Sequence, residues 1–260
     1  MPPQTRIDTS RPHPARVYDY MLGGKDHYPV DQELGERLPA FLRTAARQNR
    51  AFMRRAVAQA ARSGIRQFLD IGTGIPTEPN LHQIAQGVDA RARVVYADYD
   101  PIVLRHAEAL LVSAPEGATD YIQADVREPD GILDHARSFL DFQQPVALSL
   151  IALLHFVVDA EDPYGIVGTL VAALPSGSRL ILSHASLERF PDSTAELAST
   201  YASRISSQSR TREEVARFFD GLDLVAPGVV TAPEWHQDGD DAAAPEPEQS
   251  AVYVGVARKP

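Results

Sequence analysis

Up to residue 63, apolar positions recur at three- and four-residue spacing. Phe41, Leu42 and Ala45 are followed by Phe52, Met53, Ala56, Val57 and Ala60, the stripe an amphipathic helix buries on one side. Gly64 ends the run, as a residue suited to the left-handed turn after a helix would. Residues 15–63 therefore predict a small helical cap. The polar, Pro-rich stretch 1–14 before it is expected to be disordered or draped over the surface. Together, residues 1–63 form one predicted unit, an N-terminal extension and cap or lid.

From Ile65 the period changes. Short apolar runs at 67–71, 93–97, 121–124, 145–153 and 179–183 read as strands, and the stretches 80–86, 101–112, 131–139 and 164–173 read as helices. The helix at 101–112 carries Val103, Ala107, Leu110 and Leu111 on one face. It opens on Asp100-Pro101, an N-cap acceptor followed by proline at the first helical position. Such alternation predicts a parallel sheet with helices on both faces. The near-continuous run VALSLIALL (146–154) suits a central strand buried on both sides. A helix at 212–219 and two strands around 224–231 and 251–257 complete the second unit, 64–260. The Pro-, Asp-, Glu- and Ala-rich stretch between those strands is expected to be a solvated, mobile connection. The predicted fold class is thus α/β, a Rossmann-like sheet with an N-terminal helical cap.

Composition narrows the partners. The 260-residue chain is 44% hydrophobic and 23% charged, ordinary for a globular protein. Its N-terminus has no apolar signal region, and the longest apolar run, 146–158, broken by Ser149 and His155, is too short to span a bilayer. The absence of cysteine excludes disulfides, thiolate metal sites and a cysteine nucleophile. A cytoplasmic protein with no membrane partner is expected. A net charge of −10 argues against nucleic-acid backbone as the main partner. The basic residues between Arg11 and Arg66 contrast with an almost purely acidic stretch at 234–248, but they read most simply as a solvated helix face.

The most informative stretch is QFLDIGTGIPT (67–77), a buried strand running into a turn with Gly72, Thr73 and Gly74, then a helix. In open α/β sheets such turns lie where ligands bind, outside the carboxyl ends of the strands. Two glycines alone are a weak signal. A dinucleotide site would show G-x-G-x-x-G, whereas Thr77 occupies the third slot and Pro76 precedes it. The Asp70 carboxylate would sit badly beside a pyrophosphate but suits the ammonium of an amino-acid moiety, which S-adenosylmethionine has and NAD lacks. Asp98 ends the second strand, where an acid accepts hydrogen bonds from ribose hydroxyls, and Asp125 ends the third, where a carboxylate accepts from the adenine amino group. Tyr99 and Val126, following these acids, join the candidate cofactor set. Each acid taken singly is as readily a helix N-cap; the coincidence of three with two glycines carries the reading.

These elements lie within longer recognisable segments: RPHPARVYDYMLGGKDHYPVD (11–31), NRAFMRRAV (49–57), GIRQFLDIGTGIPT (64–77), VVYADYDP (94–101), PVALSLIALLHFVVD (145–159) and GSRLILSH (177–184). Through them the chain closely resembles a bacterial S-adenosyl methyltransferase family long catalogued as a domain of unknown function. The resemblance covers nearly the whole chain, fading after about residue 190 except for PGVV near Pro227. It implies a class I methyltransferase fold and S-adenosylmethionine as cofactor. It implies no particular acceptor.

Two further constellations remain. Residues 15–31 combine Arg16, Tyr18, Tyr20, two glycines, Lys25, Asp26, His27 and Tyr28. This segment is expected to fold over the crevice as a lid, with Arg16 and Tyr20 reaching the cofactor; the plainer alternative is a capping segment packed on the core. His155 follows the fourth strand and is the candidate general base, a role for which an ordinary imidazole value near neutrality is useful; local packing is the equal alternative. His184 is a weaker candidate, and His82, His106 and His135 are expected at the surface of helices. No metal-ligand spacing occurs. The function expected is S-adenosylmethionine-dependent methyl transfer, with a small-molecule acceptor. The rivals are a non-catalytic binder of S-adenosylmethionine or S-adenosylhomocysteine, acting as a sensor or interaction protein, and an NAD-dependent oxidoreductase.

Overall fold

The computed structural model describes residues 9–110, 112–202, 205–235 and 250–260. Three helices lead the chain: α1 (Pro14–Leu22), α2 (Pro29–Arg37) and α3 (Ala40–Arg62). Proline starts α1 and α2, where its fixed φ helps and its missing N–H costs nothing. α1 stops at Gly23, whose φ of 83° lets the N–H groups of Gly23 and Gly24 donate back to the Tyr20 and Asp19 carbonyls at 3.0 and 2.9 Å.

Strands and helices then alternate: β1 (Gln67–Ile71), α4 (Leu81–Val88), β2 (Arg93–Asp98), α5 (Pro101–Leu110), β3 (Ala118–Gln123), α6 (Pro129–Phe139), β4 (Val146–Ile151), α7 (Pro163–Ala172) and β5 (Arg179–Ala185). The remainder comprises α8 (Thr194–Leu197), α9 (Arg212–Ala216), β6 (Asp223–Leu224), β7 (Val230–Thr231) and β8 (Val252–Arg258). The sheet order is β3-β2-β1-β4-β5-β8-β6, with β7 also paired to β8. β1 to β5 run parallel, and β8 lies antiparallel against β5, from Arg179 opposite Arg258 to Ala185 opposite Val252. The order reverses between β1 and β4. At such a switch point the connections diverge to opposite faces and leave a crevice at the strands' carboxyl ends.

Strand periodicity divides the core. Leu69, Val95, Leu148 and Leu182 face Ile132 of α6, Leu170 of α7 and Val215 of α9. Their neighbours Phe68, Val94, Ala147 and Ile181 face Phe52, Ala56 and Val57 of α3 and Ala85 of α4, as the period of two requires. Trp235 is fully buried edge-on against Phe52, with ring centroids 5.2 Å apart.

A third cluster builds the cap: Val17 of α1, Leu34 of α2 and Leu38 meet Leu197 of α8 and Ile205. The segment after β5 therefore completes a cap that the periodicity assigned to residues 1–63 alone. α3 belongs to both parts. Phe41 and Leu42 lean on the cap cluster, while Phe52, Met53 and Ala60 lie in the core beneath the sheet.

Strand ends shift by one or two residues in several places, and two strands differ more from the sequence reading. β3 begins at Ala118 because Ala118–Asp120 pair in register with Arg93–Val95, although they lack the apolar run that marks a strand. The strand expected around 224–231 is two short ones, β6 and β7. Pro227 has no N–H to donate and Gly228, at φ 89°, turns the chain, its N–H donating to the Val225 carbonyl at 2.9 Å. Residues 1–8 of the Pro-rich start and 236–249 of the acidic connection lie outside the described residues, as does Leu111. Glu234, at the edge of that connection, accepts hydrogen bonds from the Thr231 N–H and hydroxyl at 2.9 and 2.7 Å.

Candidate functional site

A cavity of about 620 Å³ opens over the carboxyl ends of β1, β2 and β4 and continues beneath the cap. At its floor the chain leaves β1 through Gly72, at φ 77°, and Gly74, at φ 65°. Both angles favour glycine. Gly72 also needs its bareness: a Cβ there would lie 2.8 Å from Cδ1 of Leu153, on the turn after β4. The Gly72 N–H donates to the Ala97 carbonyl at 2.8 Å, and the Gly74 N–H donates to the Asp98 carboxylate at 2.9 Å. Asp98 also accepts from the Asp100 N–H at 2.9 Å. The acid at the end of β2 thus holds the glycine turn in shape, a task that spacing alone does not reveal. Thr73 sits between, its hydroxyl 3.3 Å from the Asp70 carbonyl.

Asp70, Gly72, Thr73, Gly74, Asp98, Tyr99, Asp125, Val126 and His155 all line this cavity. Burial pushes the Asp70 carboxyl up to about 6; the Ser149 hydroxyl and the Arg50 guanidinium draw it back, and Asp98 adds to the rise. Burial likewise pushes Asp98 up to about 6, against the pull of the Asp100 and Gly74 N–H groups. Two desolvated carboxylates side by side favour a ligand that brings positive charge and hydrogen-bond donors. Asp125 stands at the rim, paired with Arg127 at 3.1 Å, and Arg127 in turn pairs with Glu161 at 2.7 Å. The Tyr99 hydroxyl lies 2.6 Å from Nε2 of His13, whose Nδ1 is 3.2 Å from the Asp100 carboxylate. The His13 N–H donates to Asp31 of α2 at 2.8 Å. His13 thereby ties the cap to the end of β2 across the cavity's edge.

Arg16 and Tyr20 do not join this lining. α1 turns Pro14, Ala15, Tyr18 and Met21 toward the cavity, the face that helical spacing brings together, so the residues between them point elsewhere. Nε of Arg16 lies 2.9 Å from the buried Asp31 carboxylate. Tyr20 accepts a hydrogen bond from Arg43 at 2.9 Å and packs on Gly35, where a Cβ would meet its ring at 2.3 Å. Both side chains are held within the cap, outside the cavity lining.

The histidines also need correction. His155 lines the cavity with its Nδ1 buried and without a protein partner. Burial and then the Arg210 charge bring it down to about 3. It stays neutral at physiological pH but is too weak a base to compete for a proton, so it fits a hydrogen-bonding role better than general-base catalysis. His184 is locked: Arg210, a donor only, gives a hydrogen bond to its Nε2 at 2.9 Å, leaving Nδ1 to donate to the Ala185 carbonyl at 2.7 Å. His82 is buried rather than exposed, with Nδ1 2.9 Å from the Tyr96 hydroxyl. His106 and His135 are half-buried, and His135 pairs with Asp120 at 2.9 Å.

Sequence reasoning missed Asn49 and Arg50. α3 presents Leu42, Ala45, Ala46, Asn49, Arg50 and Met53 to the cavity. Asn49 donates to the Tyr18 hydroxyl at 2.8 Å, while its Oδ1 is buried without a protein partner. Arg50 donates to the carbonyls of Thr77 and Pro79 beyond the glycine turn, and its charge acts on Asp70. A polar pair on an otherwise apolar helical stripe was the available signal.

The model of the S-adenosyl methyltransferase family matches residues 1–260. A solved DUF574 family protein from Streptomyces avermitilis is 50% identical with a TM-score of 0.94, covering 98% of this chain and 100% of that one. A methyltransferase-like protein from Thermobifida fusca is 37% identical with a TM-score of 0.85, covering 100% and 99%. The plantazolicin methyltransferase BpumL, solved with S-adenosylhomocysteine and a triazolic desmethylPZN analog, shares the fold at 12% identity and a TM-score of 0.54, over 95% of this chain and 96% of its own. Among curated proteins none matches the sequence. No helix among the described residues is long and apolar enough to cross a membrane. The full-length match, with half the residues identical in one solved relative, places this chain in the S-adenosyl methyltransferase family (DUF574), whose cofactor is S-adenosylmethionine.

Proposed function

We propose that this protein transfers a methyl group from S-adenosylmethionine to a small molecule held beneath the cap. The observation that carries the reading is the continuity of one cavity from the acid-lined glycine turn to the inner surface of the cap. A binder that only senses the cofactor has no use for that second compartment. Family membership sets aside the nicotinamide reading.

The residues present fit the cofactor. Asp70 suits its ammonium, and the Arg50 guanidinium from α3 suits its carboxylate; Asn49 Oδ1 offers an acceptor that no protein group uses. Asp98 suits the ribose hydroxyls, and Asp125, Val126 and Tyr99 form the outer wall where adenine would lie. When bound, the cofactor supplies a methyl group already activated by a sulfonium. The protein's tasks are then to align the acceptor and exclude water, which the cap performs by closing the cavity from above. The cap is formed by α1, α2, the first turns of α3 and the segment around α8.

Calorimetry tests the assignment. S-adenosylhomocysteine should bind and NAD should not, and Asp98→Ala should weaken the former by roughly 1–3 kcal/mol through its lost hydrogen bonds and the released turn. Binding of NAD, or none of S-adenosylhomocysteine by the folded protein, would contradict it.

A further inference from the structure

Formal charge is distributed unevenly around the cavity. Apart from the histidines and tyrosines, its ionisable lining side chains among the described residues are Arg50, Asp70, Asp98, Asp125 and Arg127. The four besides Arg50 stand at the ends of β1, β2 and β3, and Arg50 is tied to the loop after the glycine turn. The other compartment is walled by Met21, Leu38, Leu42, Leu187, Leu197 and Ile205, all members or neighbours of the cap cluster. An ionic molecule placed there would lose its hydration without gaining a counter-charge, a cost of several kcal/mol. Uncharged polar side chains, among them Tyr18, Thr194, Tyr201, Ser207 and Gln208, also line the cavity. His155 also lines it near the junction with the glycine turn, two residues after Leu153, the side chain that touches Gly72.

We propose that the cap side of the cavity binds an uncharged, predominantly apolar methyl acceptor bearing a hydroxyl group, with His155 as the hydrogen-bonding residue that orients that hydroxyl. This specifies the substrate class of the methyl-transfer reading and rests on it. Burial, and after it the Arg210 charge, keeps the imidazole neutral and so suited to an uncharged hydroxyl. The leucines and methionine fix shape and exclude ions; a negative specificity of this kind needs no dedicated contact.

The test uses the full chain saturated with S-adenosylhomocysteine, titrated with 2-naphthol and with two charged probes of similar shape, 2-naphthoate and 2-naphthylmethylammonium. Naphthol should bind at least ~10-fold more tightly than either ion, without displacing S-adenosylhomocysteine. L42E should lose ~10-fold or more of the naphthol affinity, and H155F a smaller, roughly 3- to 10-fold, share. Both should leave S-adenosylhomocysteine binding unchanged. If L42E does not fold, M21Q reports on the same wall. Preferential or equal binding of an ion, displacement of S-adenosylhomocysteine by naphthol, or no naphthol binding at all would each overturn the proposal. Failure of S-adenosylhomocysteine itself to bind would instead strike the methyl-transfer reading, and the naphthol series on the ligand-free chain would still judge the charge preference.

Discussion

The two compartments of the cavity are built by opposite means. The cofactor side is made from consecutive β-α turns, each placing one acid or glycine at the end of a parallel strand. Its chemistry is charged, and its shape is held by backbone geometry: the angles at Gly72 and Gly74 and the bond from Asp98 to the Gly74 N–H. The cap side is gathered from α1, α2, the first turns of α3 and the segment around α8, elements far apart in the chain that share only an apolar cluster. One side is therefore specified by local order and the other by tertiary assembly. On the proposed reading, the cofactor would rest on the locally specified side and the acceptor on the side made of separable segments.

The sharpest way to break this contrast is at Asp70. Its folded-state value, raised to about 6, means the ionised carboxylate costs the ligand-free fold stability at all pH values above the unfolded value, in full above about 6. Asp70→Asn should therefore raise the melting temperature at neutral pH, by the equivalent of up to about 3 kcal/mol, and lose that advantage below about pH 4. The same change should weaken S-adenosylhomocysteine by about 1.5–3 kcal/mol through loss of a charge-assisted bond. Calorimetry of both quantities decides it; equal affinity in the variant would remove Asp70 from the cofactor site.

A second effect follows in the unmodified protein. On the proposed assignment, in which ionised Asp70 holds the cofactor's ammonium, affinity for S-adenosylhomocysteine should be flat from about pH 7 to 8 and fall as pH drops through about 6, where Asp70 and Asp98 both take up protons. A titration series with no change in that window would contradict the electrostatic account.

The smallest expected effect marks the boundary of the site. Tyr20→Phe removes the bond from Arg43 and should cost the fold about 0.5–1.5 kcal/mol while leaving S-adenosylhomocysteine affinity unchanged. A large affinity loss there would return Tyr20 to the cofactor site.

The same contrast explains what the sequence revealed. β1, β2, β4 and β5 and the glycine turn are local features, so apolar runs and spacing located them together with Asp70, Asp98 and Asp125. The apolar run understates β3 because Ala118–Asp120 are held by pairing with β2 rather than by hydrophobicity. Residue type points to Arg16 and Tyr20, whereas the phase of α1 directs Tyr18 and Met21 inward instead. Arg50 and the segment around Leu197 went unnoticed because their role depends on which elements meet across the crevice. Burial, which composition does not disclose, moved His82 from surface to core and took His155 out of the range of a working base.

The most direct measurement is a crystal structure with S-adenosylhomocysteine bound. The account predicts its amino-acid end over the Gly72–Gly74 turn between Asp70 and Arg50, its ribose on Asp98, and the space bounded by Leu38, Leu42 and Leu197 left open. An adenosyl group filling that apolar space, or lying away from the glycine turn, would contradict it.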